Sequence, residues 1–158
     1  MTSVSGSAVL ECSPEQAWAM VADVTRMGEW SPETDRATWL GGATGPEVGA
    51  TFQGHNKRGL VTWSKTCTVI ECEPGRVFAF AVGKAADPDN IWRYSFVPHG
   101  KGTMVTDTCE FPKPISNGTR LVTLLTLRVR DREGDLQRGI ESTLAKLAVA
   151  ARAAALSG

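Results

Sequence analysis

Apolar residues change their spacing three times along the chain, and each change marks a different element. From about residue 131 to 156, Leu136, Ile140, Leu144, Leu147 and Ala151 recur at three- and four-residue steps with charges between them. That is the stripe of an amphipathic α-helix. Its length, on the order of 35–40 Å, suffices to cross a seven-stranded sheet roughly 29 Å wide.

Between residues 34 and 111 the period drops to two. Short runs of β-branched and aromatic residues predict strands near 35–41, 48–56, 60–72, 76–83, 91–98 and 102–111. The segments between them carry turn chemistry: Gly41-Gly42 with Gly45-Pro46, Lys57-Arg58-Gly59, Glu73-Pro74-Gly75, Asp87-Pro88-Asp89-Asn90 and Pro98-His99-Gly100. Six consecutive strands with short links make an antiparallel meander.

A further strand is expected over 3–12. After it, Ser13-Pro14-Glu15-Gln16 is a helix start, with Ser13 as cap, Pro14 at the first helical position and Gln16 completing a capping box. Ala17, Trp18, Val21 and Val24 continue at helical spacing. A second short helical turn follows between Gly28 and Pro32, with Met27 and Trp30. Residues 117–130 fit a strand and a helix alike, and helix is preferred.

Together these predict one α+β domain over residues 1–158 of helix-grip type. A strongly curved antiparallel sheet of about seven strands wraps the long C-terminal helix, and two short helices follow strand one. Such a sheet touches the helix closely at one end and diverges at the other, leaving room for a cavity.

The strand faces suggest its lining. Trp92, Tyr94 and Phe96 share one face of their strand, Phe52, Gly54 and Asn56 another, and Trp63, Lys65 and Cys67 a third. Aromatics with a few polar groups between them are what a small-molecule cavity uses. Phe80 joins the expected wall, and Ile140 and Leu144 the helix side. Gly139, beside Ile140, suggests a close sheet approach or space kept for a ligand. Lys65 is expected to point to solvent; turned inward it would need Asp107 or Glu110. Asp107, Tyr94 and Lys65 are the candidate acids or bases, with His55 behind them.

Composition narrows the function. Seventeen basic residues balance seventeen acidic ones, so no basic face for nucleic acid is expected. The local basic runs, Lys57-Arg58 and Arg128 to Arg132, read as solvated turns and helix ends. No apolar run is long enough to span a membrane. The opening MTSVSGSAVL lacks a basic start and a long apolar run, so no secretory leader is expected and a cytoplasmic setting follows. Cys12, Cys67, Cys72 and Cys109 form no CxxC pair, and Cys67 and Cys72 fall on opposite faces unless the strand bulges. Neither a metal site nor a cofactor is expected. No nucleophile elbow, HExxH or phosphate loop is present.

Three stretches carry a resemblance. SPEQAWAMVADVTRMGEWSP opens like the first helices of polyketide cyclase/dehydrase-like proteins of the START-like (SRPBCC) superfamily. WLGGATGPEVGATFQGHNKRG and VIECEPGRVFAFAV resemble that family's strand motifs, and LQRGIESTLAKL its gripping helix. The resemblance spans about residues 5 to 153. It implies a deep apolar cavity but no fixed activity. Trp30 and Trp63 match lining positions. In the family's aromatase/cyclases a serine and an arginine follow the strand tryptophan at alternate positions. Lys65 and Cys67 stand there in this chain, so no catalytic role is carried over.

The expected function is therefore binding, transport or sequestration of a small hydrophobic molecule such as a lipid or polyketide. Alternatives are a polyketide cyclase/dehydratase using pocket polar groups, or a protein-interaction role of toxin or chaperone-activator type. A monomer or weak homodimer is expected.

Overall fold

The computed structural model describes residues 2–113 and 132–157. The reading of 117–130 as helix lies outside them. Seven strands form one antiparallel sheet: β1 (Thr2–Leu10), β2 (Thr34–Trp39), β3 (Thr51–Arg58), β4 (Val61–Glu73), β5 (Val77–Lys84), β6 (Asp87–His99) and β7 (Gly102–Phe111). Their spatial order is β1-β7-β6-β5-β4-β3-β2. The meander runs unbroken from β2 to β7, and β1 closes beside β7. Helix α1 (Pro14–Ala22) and a 3-10 helix (Val24–Glu29) link β1 to β2, and α2 (Arg132–Ser157) ends the described chain.

The start of α1 follows from local chemistry. The Ser13 hydroxyl accepts from the Gln16 backbone N–H at 3.2 Å, and the Gln16 side chain accepts from the Ser13 N–H at 3.0 Å. Two otherwise orphaned donors are thereby satisfied. Ser13→Ala is expected to cost about 1 kcal/mol, read as a lower midpoint in urea unfolding. The Trp18 indole N–H, donating to the Val77 carbonyl at 2.9 Å, ties the helix to β5.

The strand reading needs two corrections. Asp87-Pro88-Asp89-Asn90 is not a turn. The β5–β6 turn takes only Ala85 and Ala86, and β6 already begins at Asp87. Pro88, which cannot donate to a ladder, sits opposite Gly83 where the register shifts. The second correction is a bulge in β4 between Val69 and Glu71. Cys67, Val69 and Cys72 then oppose Val82, Phe80 and Phe78, which alternate along one face of β5. The bulge brings Cys67 and Cys72 to the same face, and all four cysteines are free.

The register aligns side chains into rows across the inner face. One row is Ala8–Val105–Phe96 and the next Gly6–Asp107–Tyr94–Phe78–Cys72. A third is Val4–Cys109–Trp92–Phe80–Val69, and a fourth Asn90–Val82–Cys67–Phe52–Trp39. The outer face is polar. Arg93 bonds Glu110 at 3.2 Å and also reaches Glu71. Ala79 lies between Glu71 and Arg93 in the register, and its small side chain leaves the guanidinium a path across.

Helix α2 approaches β1 most closely and β7 next; it does not run equally close to every strand. The close approach occurs at Gly6, where a Cβ would lie 3.0 Å from Ile140 Cγ2 and 3.5 Å from Leu144 Cδ1. Gly139 instead faces the loop before β2, since its Cβ would meet Pro32 Cγ at 3.5 Å. The sheet glycine, not the helix glycine, permits the grip. Arg58 and Arg132, read as solvated, fasten the start of α2 to β3. Arg58 binds Asp135 in a two-pronged pair at 2.7 and 2.8 Å, and Arg132 bonds Glu33 at 2.9 Å. These hydrogen bonds from Arg58 hold the Asp135 carboxyl below its ordinary range.

Candidate binding site on the inner face

The inner-face rows place most of the expected lining together. Phe52 and Phe80 meet edge-to-face with centroids 5.1 Å apart, and Phe78 continues the cluster at 6.0 Å. Trp39, which sequence reasoning did not single out, packs on Phe52 at 5.7 Å. Its signal was the alternation Ala37, Trp39. Phe96, Ile140 and Leu144 are buried, and Trp92, Tyr94 and Trp63 are half-buried.

Other expected residues have partners elsewhere. Trp30 is buried in the core and capped by the Arg26 guanidinium, 5.0 Å from its ring centroid. The Asn56 carbonyl oxygen accepts from the Thr34 hydroxyl at 2.9 Å. Lys65, opposite Gly54 in the register, is exposed and pairs with Asp89 at 2.9 Å, so neither Asp107 nor Glu110 holds it. His55 is hydrogen-bonded to exposed Ser64 at 3.1 Å. An open polar depression of about 310 Å³ lies between the 3-10 helix and the start of β2, lined by Glu33, Asp35 and Lys57 among others. None of the expected lining residues borders it.

Asp107 is the unusual group. It is 1 % exposed, and neither carboxylate oxygen has a hydrogen-bond partner. Its cross-strand neighbours are Gly6, whose missing side chain is replaced by Ile140, and Tyr94. Desolvation therefore dominates and raises the carboxyl to about 7. Tyr94 opposes that shift through its hydroxyl. The hydroxyl is close enough to act electrostatically, but the pair does not meet hydrogen-bond geometry.

Burial also pushes the Tyr94 hydroxyl well above its ordinary value, with Asp107 adding to the shift. Tyr94 as a whole residue is half-buried. Beside this pair, Asn90 Nδ2 donates to Cys109 Sγ at 3.4 Å. Asn90 was read as a turn residue; its two-residue spacing from Trp92 was the available signal. Burial pushes the Cys67 and Cys109 thiols up to about 12, so both stay protonated and poorly nucleophilic. Among the described residues, no cluster of three or more His, Cys, Asp or Glu could hold a metal, and no helix is long and apolar enough to cross a membrane.

A seven-stranded antiparallel sheet, gripping a C-terminal helix and bearing an aromatic inner face with one unpaired acid, defines a helix-grip α+β protein. The chain belongs to the family described as polyketide cyclase / dehydrase and lipid transport, whose model matches residues 1–154. It is similar to the polyketide cyclase-like protein Cgl2372 of Corynebacterium glutamicum, with 31% identity, a TM-score of 0.62, and coverage of 92% of this chain and 88% of that one. Protein CV1439 of Chromobacterium violaceum shares the fold at 15% identity and a TM-score of 0.69, covering 94% and 96%. DynU16, from the dynemicin biosynthetic locus, matches at 16% identity and a TM-score of 0.61, over 93% of this chain and 46% of its own. No curated protein matches the chain.

Proposed function

We propose that this protein binds a small, largely apolar molecule in a recess between α2 and the inner face of β3–β6, for carriage or sequestration. The observation that carries this reading is Tyr94. It is half-buried on the inner face, directly opposite the buried Asp107 carboxyl, which has no hydrogen-bond partner, and burial raises its hydroxyl. A phenol and an unpartnered acid side by side on a covered aromatic face are the few polar groups a small-molecule recess uses. Trp92, half-buried in the next row, extends the same wall. Among the described residues, α2 packs mainly on β1 and β7, with Gly6 beneath Ile140, while α1 packs on β5 and β6, so the half-buried Trp92 and Tyr94 of β6 are the aromatics proposed to meet a guest. The family's description and the likeness to Cgl2372 agree with such a role.

The test is saturable binding of Nile red, an uncharged apolar dye, with mass spectrometry of any co-purifying ligand. Trp92→Ala, with its circular dichroism unchanged, is expected to weaken the dye by about tenfold, which is about 1.4 kcal/mol. Absence of saturable binding in the parent protein would sink the reading.

A second reading is a cyclase- or dehydratase-type enzyme. One observation favours it: a buried carboxyl titrating near 7 is poised to give and take a proton at neutral pH. Turnover of a poly-β-ketone mimic that collapses in Asp107→Asn would put catalysis ahead of binding.

A further inference from the structure

We infer that the Tyr94 hydroxyl, backed by the Asp107 carboxyl, is the polar anchor of this recess, and that the pair selects an uncharged ligand with an accepting oxygen (a ketone, ester or quinone) over a carboxylate of the same size. This rests on the recess proposed above and names the chemistry it takes.

The first argument is the charge inventory. Among the described residues the inner-face rows of β1, β5, β6 and β7 hold no lysine or arginine. Arg93 lies on the outer face with Glu71 and Glu110. Among the described residues, the cations nearest the inner face are Lys65, opposite Gly54 on β4, and Arg132 at the start of α2; they are already paired with Asp89 and with Glu33 and Asp135. An anionic guest would find no unpaired cation there, and it would stand near a carboxyl that itself ionises. Burying that second charge unpaired is prohibitive.

The second argument is the geometry of the pair. Tyr94 and Asp107 are directly opposite on adjacent strands. The Asp107 oxygens are sealed from solvent, whereas Tyr94 keeps accessible surface, so a guest would touch Tyr94 and feel Asp107 through it. The pair is not hydrogen-bonded as it stands; once a guest draws the two groups into contact, a protonated Asp107 would donate its O–H to the Tyr94 oxygen and free the phenol proton to donate to the ligand. An ionised Asp107 takes that phenol proton for itself and leaves the ligand facing lone pairs and a negative charge. Asp107 is thus a positioning residue and Tyr94 the contact.

Proton linkage follows. Among the described residues, the other groups around Asp107 do not titrate near neutrality. Cys109 follows along β7 and stays protonated, β1 offers Gly6, and α2 offers Ile140, Leu144 and the neutral Gln137. Arg132 acts on Cys109 only at a distance and is committed to Glu33 and Asp135. With Asp107 titrating at about 7, the competent fraction falls about tenfold between pH 6 and pH 8, and so does the apparent affinity for a neutral acceptor.

Three probes of one size decide it: 2-acetylnaphthalene, 2-naphthoate and 2-naphthylmethylammonium, titrated calorimetrically at pH 6 and pH 8 beside Nile red. The expected result is that the ketone binds at least tenfold tighter than the carboxylate, and weakens about tenfold from pH 6 to 8. Asp107→Asn should flatten that pH slope, and Tyr94→Phe should weaken the ketone more than Nile red. Equal binding of all three with no pH slope overturns the anchor while leaving the recess standing. The ammonium binding tightest overturns it too, since the site would then select cations. Nile red binding without any of the three also overturns the anchor alone, whereas failure of all four sinks the recess with it. The charge series uses the unaltered protein, so it stands even if a variant fails to fold.

Discussion

Asp107→Asn is expected to stabilise the protein at pH 8, and much less at pH 4.5. An aspartate ordinarily titrates near 3.8, and burial lifts Asp107 to about 7 in the folded state. Between those values the folded chain holds a proton that the unfolded chain has lost. Stability contributed by this site is therefore present below the unfolded value and declines as pH rises toward the folded one. Three units at about 1.4 kcal/mol each give an upper bound of roughly 4 kcal/mol lost by pH 8. Asparagine cannot ionise and escapes that loss. Its melting temperature should exceed the parent's by about 10 °C at pH 8 and by only about 2–4 °C at pH 4.5. Calorimetric scans at both pH values measure this, and the difference between the two proteins cancels the titration of every shared group. A gap that does not change with pH would mean that Asp107 titrates normally.

This also bears on function. An acid that weakens its own fold at neutral pH, with no hydrogen-bond partner, agrees with the ligand contact proposed above. The paired acids make the contrast. Asp135 is held below its ordinary range by Arg58, so it favours the folded state above the unfolded value, with the opposite sign.

How much of this was legible in the sequence depends on how local its cause is. The capping box of α1 needs only Ser13 and Gln16, three residues apart, and it formed as read. The α2 stripe was equally plain, because Leu136, Ile140, Leu144 and Leu147 each face the core. Strand alternation carried Trp92, Tyr94 and Phe96 to one face correctly. It could not foresee the bulge at Ile70, where one extra residue changes the face of everything after it and brings Cys72 beside Phe78. Asp87 to Asn90 have turn chemistry but were recruited into β6 by pairing with β5, and tertiary pairing outweighs local preference. Long-range partners were out of reach altogether. Arg58 and Asp135 are 77 positions apart, and nothing in either's neighbourhood announces the other. For the same reason Asp107 was visible as a candidate only by being an acid on a strand. Its isolation is a property of Gly6, Tyr94 and Ile140 arriving around it.

Gly28→Ala should be the most damaging single-methyl change in the frame of the site. A Cβ there would lie 2.1 Å from the Asp35 carbonyl oxygen and 3.0 Å from its carbon. Both are backbone atoms, so no side-chain rotation relieves the overlap. The 3-10 helix must lift away from β2, and Trp30, two residues on and buried in the core, moves with it. Overpacking usually costs about 1–3 kcal/mol, and a clash with fixed backbone belongs at the upper end, or about 10 °C in melting temperature. Gly139→Ala is the matched comparison. Its Cβ would make an ordinary 3.5 Å contact with Pro32, and replacing a helical glycine by alanine gains up to about 1 kcal/mol. One alanine should therefore lower the melting temperature while the other raises it slightly. If Gly28→Ala melted with the parent, the 3-10 helix would not rest on β2 as described, and that contact would not be what holds Trp30 in the core.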